Sequence, residues 1–219
     1  GVFQIYLGNR QSFTTQQGIS SVQESGRFAT LFMARSIRHS GYLSNVYANP
    51  SDVYSNAEPP VTGVENGADP DAITVRYQGY ENLNNQPVPG QERMLDCFGI
   101  DVPANATMAN EFSLSDPDAN GLRELRCQTF VGATAASDPG SSARLSLVQG
   151  VQNLQITYGV DQSPNKLRDI NNYVTADNIT DWRDVRSVRL LLTVTDADIG
   201  NKQFTTTVAI RNRFDDFDE

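Results

Sequence analysis

The acidic turn at residues 116–121 has the residue types of a calcium-binding loop. Asp116, Asp118 and Asn120 place side-chain oxygens at alternate positions before a glycine, which matches the opening of an EF-hand loop. The twelfth position of such a loop requires a glutamate, whereas this chain has Cys127 there. A hairpin turn rich in Asp, Asn and Gly is the alternative, and strand-like sequence on both sides favours it. We therefore assign no metal-binding residue and keep calcium as the weaker hypothesis.

The other groups that could support catalysis are few and scattered. The chain has one histidine, His39, and no serine lies in a G-x-S-x-G sequence. A nucleophilic triad would have to use His39, which lies among arginines at the predicted end of a helix. Cys97 and Cys127 are too distant for a C-x-x-C motif; they form a disulfide in an oxidising compartment and are buried thiols in a reducing one. We predict no catalytic residue, no cofactor and no enzymatic activity.

Composition indicates one sizeable domain with an acidic surface. The chain has 219 residues, of which 38% are hydrophobic and 20% are charged. Its net charge of −9 argues against binding to nucleic-acid phosphates, so we predict no nucleic-acid partner. No run of about 18 apolar residues is present to span a membrane. Apolar residues follow Gly1 immediately, and we therefore expect the natural N-terminus to lie upstream.

A long helix is the first element that the pattern predicts, over residues 1–40. Arg35, Arg38 and His39 fall in its last turn, where positive charge suits the helix dipole, and Gly41 fits a left-handed C-cap. We expect the side bearing Phe28, Phe32 and Ile37 to pack on a sheet. The apolar positions at helical spacing, together with one glycine on the same stripe, are Ile19, Val22, Gly26, Ala29, Phe32, Met33 and Ile37.

Strand signals dominate the rest of the chain. Residues 43–70 are rich in Asn, Ser, Pro and Gly and are predicted as a long irregular connection. Short spacings between the strands favour antiparallel pairing, and residues 181–185 are predicted as a short helical turn. The fold class is therefore α+β, with a helix at 1–40 and a head at 41–219 that form a single domain. The predicted strands are 72–77, 111–114, 124–130, 143–148, 154–160, 187–194 and 204–210.

Several separate segments resemble one protein family. The sequence QESGRFA followed by ARSIRHSGY, and later LVQGVQNLQITYGVD, is similar to that of PilW-type minor pilins of bacterial type IV pili. Each segment alone has little specificity, but the ordered set spans nearly the whole chain. The similar blocks are residues 7–16, 23–29, 35–42, 71–77, 125–127, 147–161, 182–189 and 211–213.

The resemblance implies a pilin-like fold, in which a long N-terminal helix packs on an antiparallel sheet. It implies a non-enzymatic subunit that primes pilus assembly and joins a tip complex with other minor pilins and a large adhesin, supporting twitching motility and adhesion. It also implies a periplasmic Cys97–Cys127 disulfide. The inner membrane would be reached through the apolar half-helix, with its leader peptide and N-terminal methylation, that we expect upstream of this chain. Before assembly the head would lie in the periplasm of a Gram-negative bacterium, and afterwards at the pilus tip.

The first part of the helix carries apolar residues that a sheet need not cover. We predict that these contact the helices of other minor pilins and of the major pilin, although ordinary core packing is the alternative. The predicted contacts are Val2, Phe3, Tyr6, Leu7 and Phe13. Two other functions remain as alternatives, a J-type minor pseudopilin of type II secretion and a calcium-binding or adhesive module.

Overall fold

The computed structural model describes residues 2–44, 53–54, 58–79, 94–102, 106–131, 143–161, 170, 172–196 and 200–211. In the N-terminal helix it describes the side chains of residue 13 and of residue 15 onward. One helix precedes eight strands of a single antiparallel sheet, which confirms the α+β class. The elements are α1 (Val2–His39), β1 (Val61–Val64), β2 (Ala72–Gln78), β3 (Thr107–Leu114), β4 (Arg123–Val131), β5 (Arg144–Val160), β6 (Asn172–Val174), β7 (Val185–Asp196) and β8 (Gly200–Ala209).

The strands follow the order β1-β2-β3-β4-β5-β7-β8, and β6 pairs with the end of β5. Alternation explains the central strands: Leu154, Ile156 and Tyr158 of β5 are buried, while the residues between them are partly exposed. A short helical turn at Trp182–Asp184 leads into β7, as predicted, and the Asp181 carboxylate accepts a hydrogen bond from the backbone N–H of Arg183.

Strand β5 is longer than the sequence predicted, because segments 143–148 and 154–160 form one continuous strand of 17 residues. Its first half pairs with β4 and its second half with β7, and the register shifts between Val151 and Asn153. Gly150 lies at this point with a φ of 75°, a conformation that favours glycine. The turn signal at Gly150 therefore marks an irregularity within strand β5 and not the end of a strand.

The sheet curls so that its first strands meet its middle. Asp71, just before β2, donates its backbone N–H to the carbonyl oxygen of Leu154 at 2.8 Å. Its buried carboxylate accepts the N–H of Ile156 at 2.7 Å and that of Asn66 at 3.2 Å. Burial raises the pKa of Asp71, and the two N–H donors oppose this rise. The predicted irregular connection at 43–70 was wrong in part, because β1 lies within it.

Candidate interaction surface of the helix

One side of α1 is fixed to the sheet by small and aliphatic residues. Val22, Ala29, Met33 and Ile37 are 0–4% exposed, which confirms most of the predicted stripe. Helix and sheet approach closely at Gly26, where an added Cβ atom would overlap the Phe204 ring of β8. Small side chains at such points let the backbone approach an aromatic ring directly. The helix therefore packs on the last hairpin of the chain.

A second glycine lies at another close approach of the helix to the sheet. A Cβ atom at Gly18 would lie 3.1 Å from the Asp196 carboxylate oxygen, at the end of β7. Of the predicted stripe, Ile19 next to this point is 40% exposed, so the burial of that face is incomplete here. The helix extends backward from this position to Val2, a length of roughly 24 Å at 1.5 Å per residue.

Replacing Gly26 by alanine should destabilise the protein by up to about 2 kcal/mol. Overpacking against the Phe204 ring costs about 1–3 kcal/mol, and the better helix propensity of alanine recovers about 1 kcal/mol. Urea unfolding of the purified domain measures the difference. In a Phe204→Ala background the same Gly26→Ala change should instead stabilise, since the ring is gone. An increase in stability in the wild-type background would contradict the close contact.

The C-terminal end of the helix is tied to β2. Gly41 has a φ of 75°, which confirms the predicted left-handed cap, and its N–H donates to the carbonyl oxygen of Arg76 at 2.8 Å. The Ser40 hydroxyl donates to the Ile37 carbonyl oxygen at 2.6 Å. His39, which the sequence could have assigned to catalysis, instead packs edge-to-face on the Tyr77 ring at a centroid distance of 6.1 Å.

The opposite side of the helix carries exposed apolar residues. We define the outer helix surface as Phe13, Phe28 and Leu31, which are 61%, 47% and 55% exposed. Phe13 and Leu31 are 18 residues apart, which is five turns, so they point in the same direction about 27 Å from each other. Arg27 and Arg35 are exposed beside Leu31. Apolar anchors flanked by arginines are typical of residues at protein interfaces.

The prediction that Phe28 packs on the sheet was wrong. Its ring lies on the exposed side and contacts Phe32, at 5.8 Å between centroids. The half-buried Phe32 in turn contacts the buried Phe112 of β3 edge-to-face at 6.2 Å. Helical spacing placed Phe28 close to the apolar stripe, but its direction is more than 90° from the centre of that stripe, at 100° per residue.

Of the predicted partner contacts, Val2, Phe3, Tyr6 and Leu7 have side chains outside the described residues. Phe13 is described and exposed, but no partner is present, so its contact stays a prediction. Sequence analysis missed Leu31 as a member of the same surface. Its position five helical turns after Phe13 was the signal that could have identified it.

The acidic turn connects β3 to β4 as a hairpin. One carboxylate oxygen of Asp118 accepts the N–H groups of Asn120 and Leu122, each at 2.8 Å. Gly121 has a φ of 78°, which completes the turn. The Asp118 carboxylate, a candidate ligand of the hypothetical calcium loop, thus binds backbone N–H groups of the same turn. Among the described residues, no group of three or more His, Cys, Asp or Glu is placed to hold a metal ion.

A disulfide joins Cys97 to Cys127, with a Cα–Cα distance of 6.3 Å. It fixes a small hairpin at residues 94–102 onto β4, and within this hairpin the Val102 N–H donates to the Met94 carbonyl oxygen at 2.9 Å. The hairpin turns at Gly99, and the Asp96 carboxylate accepts the N–H groups of Phe98 and Ile100 at 2.9 and 2.8 Å. The hairpin at residues 94–102 is therefore held both by the disulfide and by hydrogen bonds within the hairpin.

A buried polar network lies beside this disulfide. The Tyr77 hydroxyl donates to the Leu95 carbonyl oxygen at 2.9 Å and accepts from the Asn110 side-chain amide at 2.6 Å. The Thr129 hydroxyl donates to the side-chain oxygen of Asn110 at 2.9 Å. Burial raises the pKa of Tyr77, so its hydroxyl keeps its proton at physiological pH. These bonds connect β2, β3, β4 and the hairpin.

The family model described as Type IV Pilus-assembly protein W matches residues 111–211, slightly less than half of the chain. The match supports a PilW-family assignment. These residues run from within β3 to just beyond β8, and they include the β7–β8 hairpin on which the helix packs. A search of curated protein sequences found no match to the chain.

Because the matching model describes a pilus-assembly protein, the match suggests a role in type IV pilus assembly and contact with other assembly components of the cell envelope. The matched region supplies β5, β7 and β8, the strands that hold most of the helix. Within the described residues, no helix combines the length and hydropathy of a membrane span.

Proposed function

We propose that this protein is a non-enzymatic minor pilin that primes type IV pilus assembly and joins a tip complex with other minor pilins and an adhesin. The observation that supports this most is the two-sided helix. One side is fixed to the sheet through Gly26 and Phe204, while Phe13, Phe28 and Leu31 remain exposed on the other. A pilin-like subunit requires such an arrangement, because one helix must hold its own head and contact neighbouring helices.

The exposed side has the properties of a helix-packing surface. Phe13 and Leu31 are aligned along the helix, and Phe28 lies beside them with its ring supported by Phe32. Contact with another apolar helix would remove these side chains from water at about 25 cal/mol per Å². Arg27 and Arg35 can pair with acidic groups of a partner at the rim of the contact. In this proposal the outer helix surface binds other minor pilins and the major pilin.

Replacing Leu31 by glutamate tests this surface. The side chain is 55% exposed, so we expect little change in the melting temperature of the domain. Loss of an interface anchor should weaken binding to other minor-pilin domains by roughly 10- to 100-fold, which corresponds to about 1.4–2.8 kcal/mol. Co-elution of purified domains measures this loss, and counts of surface pili should fall in a strain carrying the variant.

Val64→Glu is the matched control, because Val64 is 56% exposed but lies on β1, away from the helix. It should bind partners and support piliation like the wild type. Unchanged binding by Leu31→Glu would remove the helix as the partner surface. A deletion strain with normal pili and normal twitching would overturn the priming role, and a secretion defect in that strain would instead indicate a type II pseudopilin.

A further inference from the structure

The sheet face turned away from the helix is polar but almost free of charge. On β5, β7 and β8 the even-numbered side chains, such as Leu154, Leu192 and Phe204, point toward the core or the helix. Arg189 is the single charged residue at the odd positions from 153 to 157, 189 to 195 and 201 to 207, and it stacks on the Tyr173 ring at 3.8 Å. The uncharged polar residues of this face are Asn153, Gln155, Thr157, Thr193, Thr195, Asn201, Gln203, Thr205 and Thr207.

The protein has 26 acidic residues and a net charge of −9, yet none of the acidic residues falls at these positions. Surfaces that only face water normally carry mixed charges, which favour solubility. Around the groove this face therefore offers mainly the hydrogen-bonding groups of Thr, Asn and Gln, which suit a ligand that is itself uncharged and polar.

A groove of about 550 Å³ lies at one end of this face. Asn153, Thr193 and Gln203 form its floor as direct neighbours across three strands, because Thr193 pairs with Asn153 on one side and with Gln203 on the other. The amides of Gln152 and Asn201 line its sides. This volume is within the range of small-ligand sites and fits a short oligosaccharide.

The groove has hydrogen-bonding capacity that the fold does not use. Within the described residues, Gln152, Asn201 and Gln203 make no side-chain hydrogen bond. The side-chain oxygen of Asn153 accepts the Leu154 N–H at 2.8 Å and the Gln155 side-chain amide at 3.4 Å, and these bonds do not use the N–H groups of the Asn153 amide. Each side-chain amide offers a donor and an acceptor side by side, the pattern that complements vicinal hydroxyl groups.

We propose that this groove binds a neutral glycan. The amides of Gln152, Asn201 and Gln203 exchange hydrogen bonds with sugar hydroxyls, and Thr193 contributes its hydroxyl on the floor of the groove. Because the described lining residues include no aromatic ring, we expect weak affinity, with a dissociation constant of roughly 0.1–10 mM.

Other ligand classes fit the lining less well. Among the described lining residues, the one basic side chain is Arg123, which donates to the Ser115 carbonyl oxygen at 3.1 Å and lies 4.0 Å from the carboxylate of Asp69, a residue that also lines the groove. Phosphates and anionic polysaccharides would therefore meet an acidic group beside this cation. A protein partner would need an apolar anchor pocket, whereas the apolar lining consists only of Ala68 and Pro70.

Saturation-transfer NMR with the complete chain tests the proposal. The probes are maltotriose, cellotriose and tri-N-acetylchitotriose, with a hyaluronan tetrasaccharide as the anionic comparison. We expect at least one neutral probe to bind at millimolar concentration and to shift the side-chain amide signals of Gln203 and Asn201. The variants Gln203→Ala and Thr193→Val should each weaken this binding by roughly 3- to 10-fold, since each loses one hydrogen bond to a neutral group.

Thr207→Val is the matched control, because Thr207 lies on the same face of β8, about 13 Å along the strand from Gln203. It should bind the probes like the wild type. Absence of binding by all three neutral probes overturns the proposal, as does equal binding by wild type and Gln203→Ala. Binding to a pilus-assembly protein that is weakened by Gln203→Ala, without glycan binding, would identify a protein interface instead. The role in pilus assembly does not depend on any of these outcomes.

Discussion

Replacing both Cys97 and Cys127 by alanine should lower the free energy of unfolding by about 3–4 kcal/mol. The disulfide spans a sequence separation of 30, and closing a loop of that size restricts the unfolded chain by about this amount in the chain-entropy model. For a chain of this length the melting temperature should fall by roughly 7–14 °C. The native fold should persist, because the hairpin at 94–102 retains its hydrogen bonds to β2 and within itself.

The reductant control separates the disulfide from the side-chain change. Under reducing conditions the wild type should lose nearly the same stability, while the double alanine variant should not respond. Thermal unfolding followed by circular dichroism measures both effects. Titration of the unfolded wild type with a thiol reagent should find no free thiol. A double variant as stable as the oxidised wild type would contradict the contribution of the disulfide.

Removing the Tyr77 hydroxyl should cost about 2–4 kcal/mol, a large effect for the loss of one atom. Tyr77→Phe leaves the Leu95 carbonyl oxygen and the Asn110 amide without their partner in a buried network. Each unsatisfied buried group costs about 1–3 kcal/mol. Urea unfolding should show a lower midpoint with an unchanged slope.

Tyr158→Phe is the matched control, because it makes the same chemical change at an equally buried tyrosine. The Tyr158 ring packs edge-to-face on Trp182 at 5.0 Å, and its hydroxyl has no hydrogen-bond partner among the described residues. We therefore expect Tyr158→Phe to be neutral or to stabilise by up to about 1 kcal/mol. Equal destabilisation by the two phenylalanine variants would contradict the hydrogen-bond account and indicate a simple packing effect.

Alternation and helix capping could be predicted from local sequence, and they explain most of the fold. The cap at Gly41, the strand β2 and the helical turn before β7 each depend on residues within a few positions of one another. Strand β1 was missed because Gly63 and the two prolines before it are turn signals. The structure explains Gly63 from a distance: any side chain there would overlap the Tyr158 hydroxyl of β5. A contact between strands so far apart in sequence leaves no local pattern.

The outer helix surface and the groove also differ in how far local sequence predicts them. Phe13 could be predicted as exposed because helical spacing alone determines its direction. The groove could not, since Asn153, Thr193 and Gln203 become neighbours only through the register of three strands. Phe28 was assigned to the wrong side because an amphipathic pattern indicates an apolar side without fixing its width. The sheet half-buries Phe32, whereas Phe28, four positions earlier on the helix, is 47% exposed.

The packing of Gly26 on Phe204 also sets the order in which the chain can fold. β8 comes after every other strand, so the part of the helix around Gly26 has no ring to pack on until β8 is available, whereas the C-terminal end of the helix contacts β2 and β3. Contacts of such long sequence separation form late and slowly. Until then the side of the helix at Gly26 stays uncovered, and apolar surface that is transiently exposed favours aggregation. The two ends of the chain are thus interdependent, and a head shortened before β8 would lose the docking of its own helix.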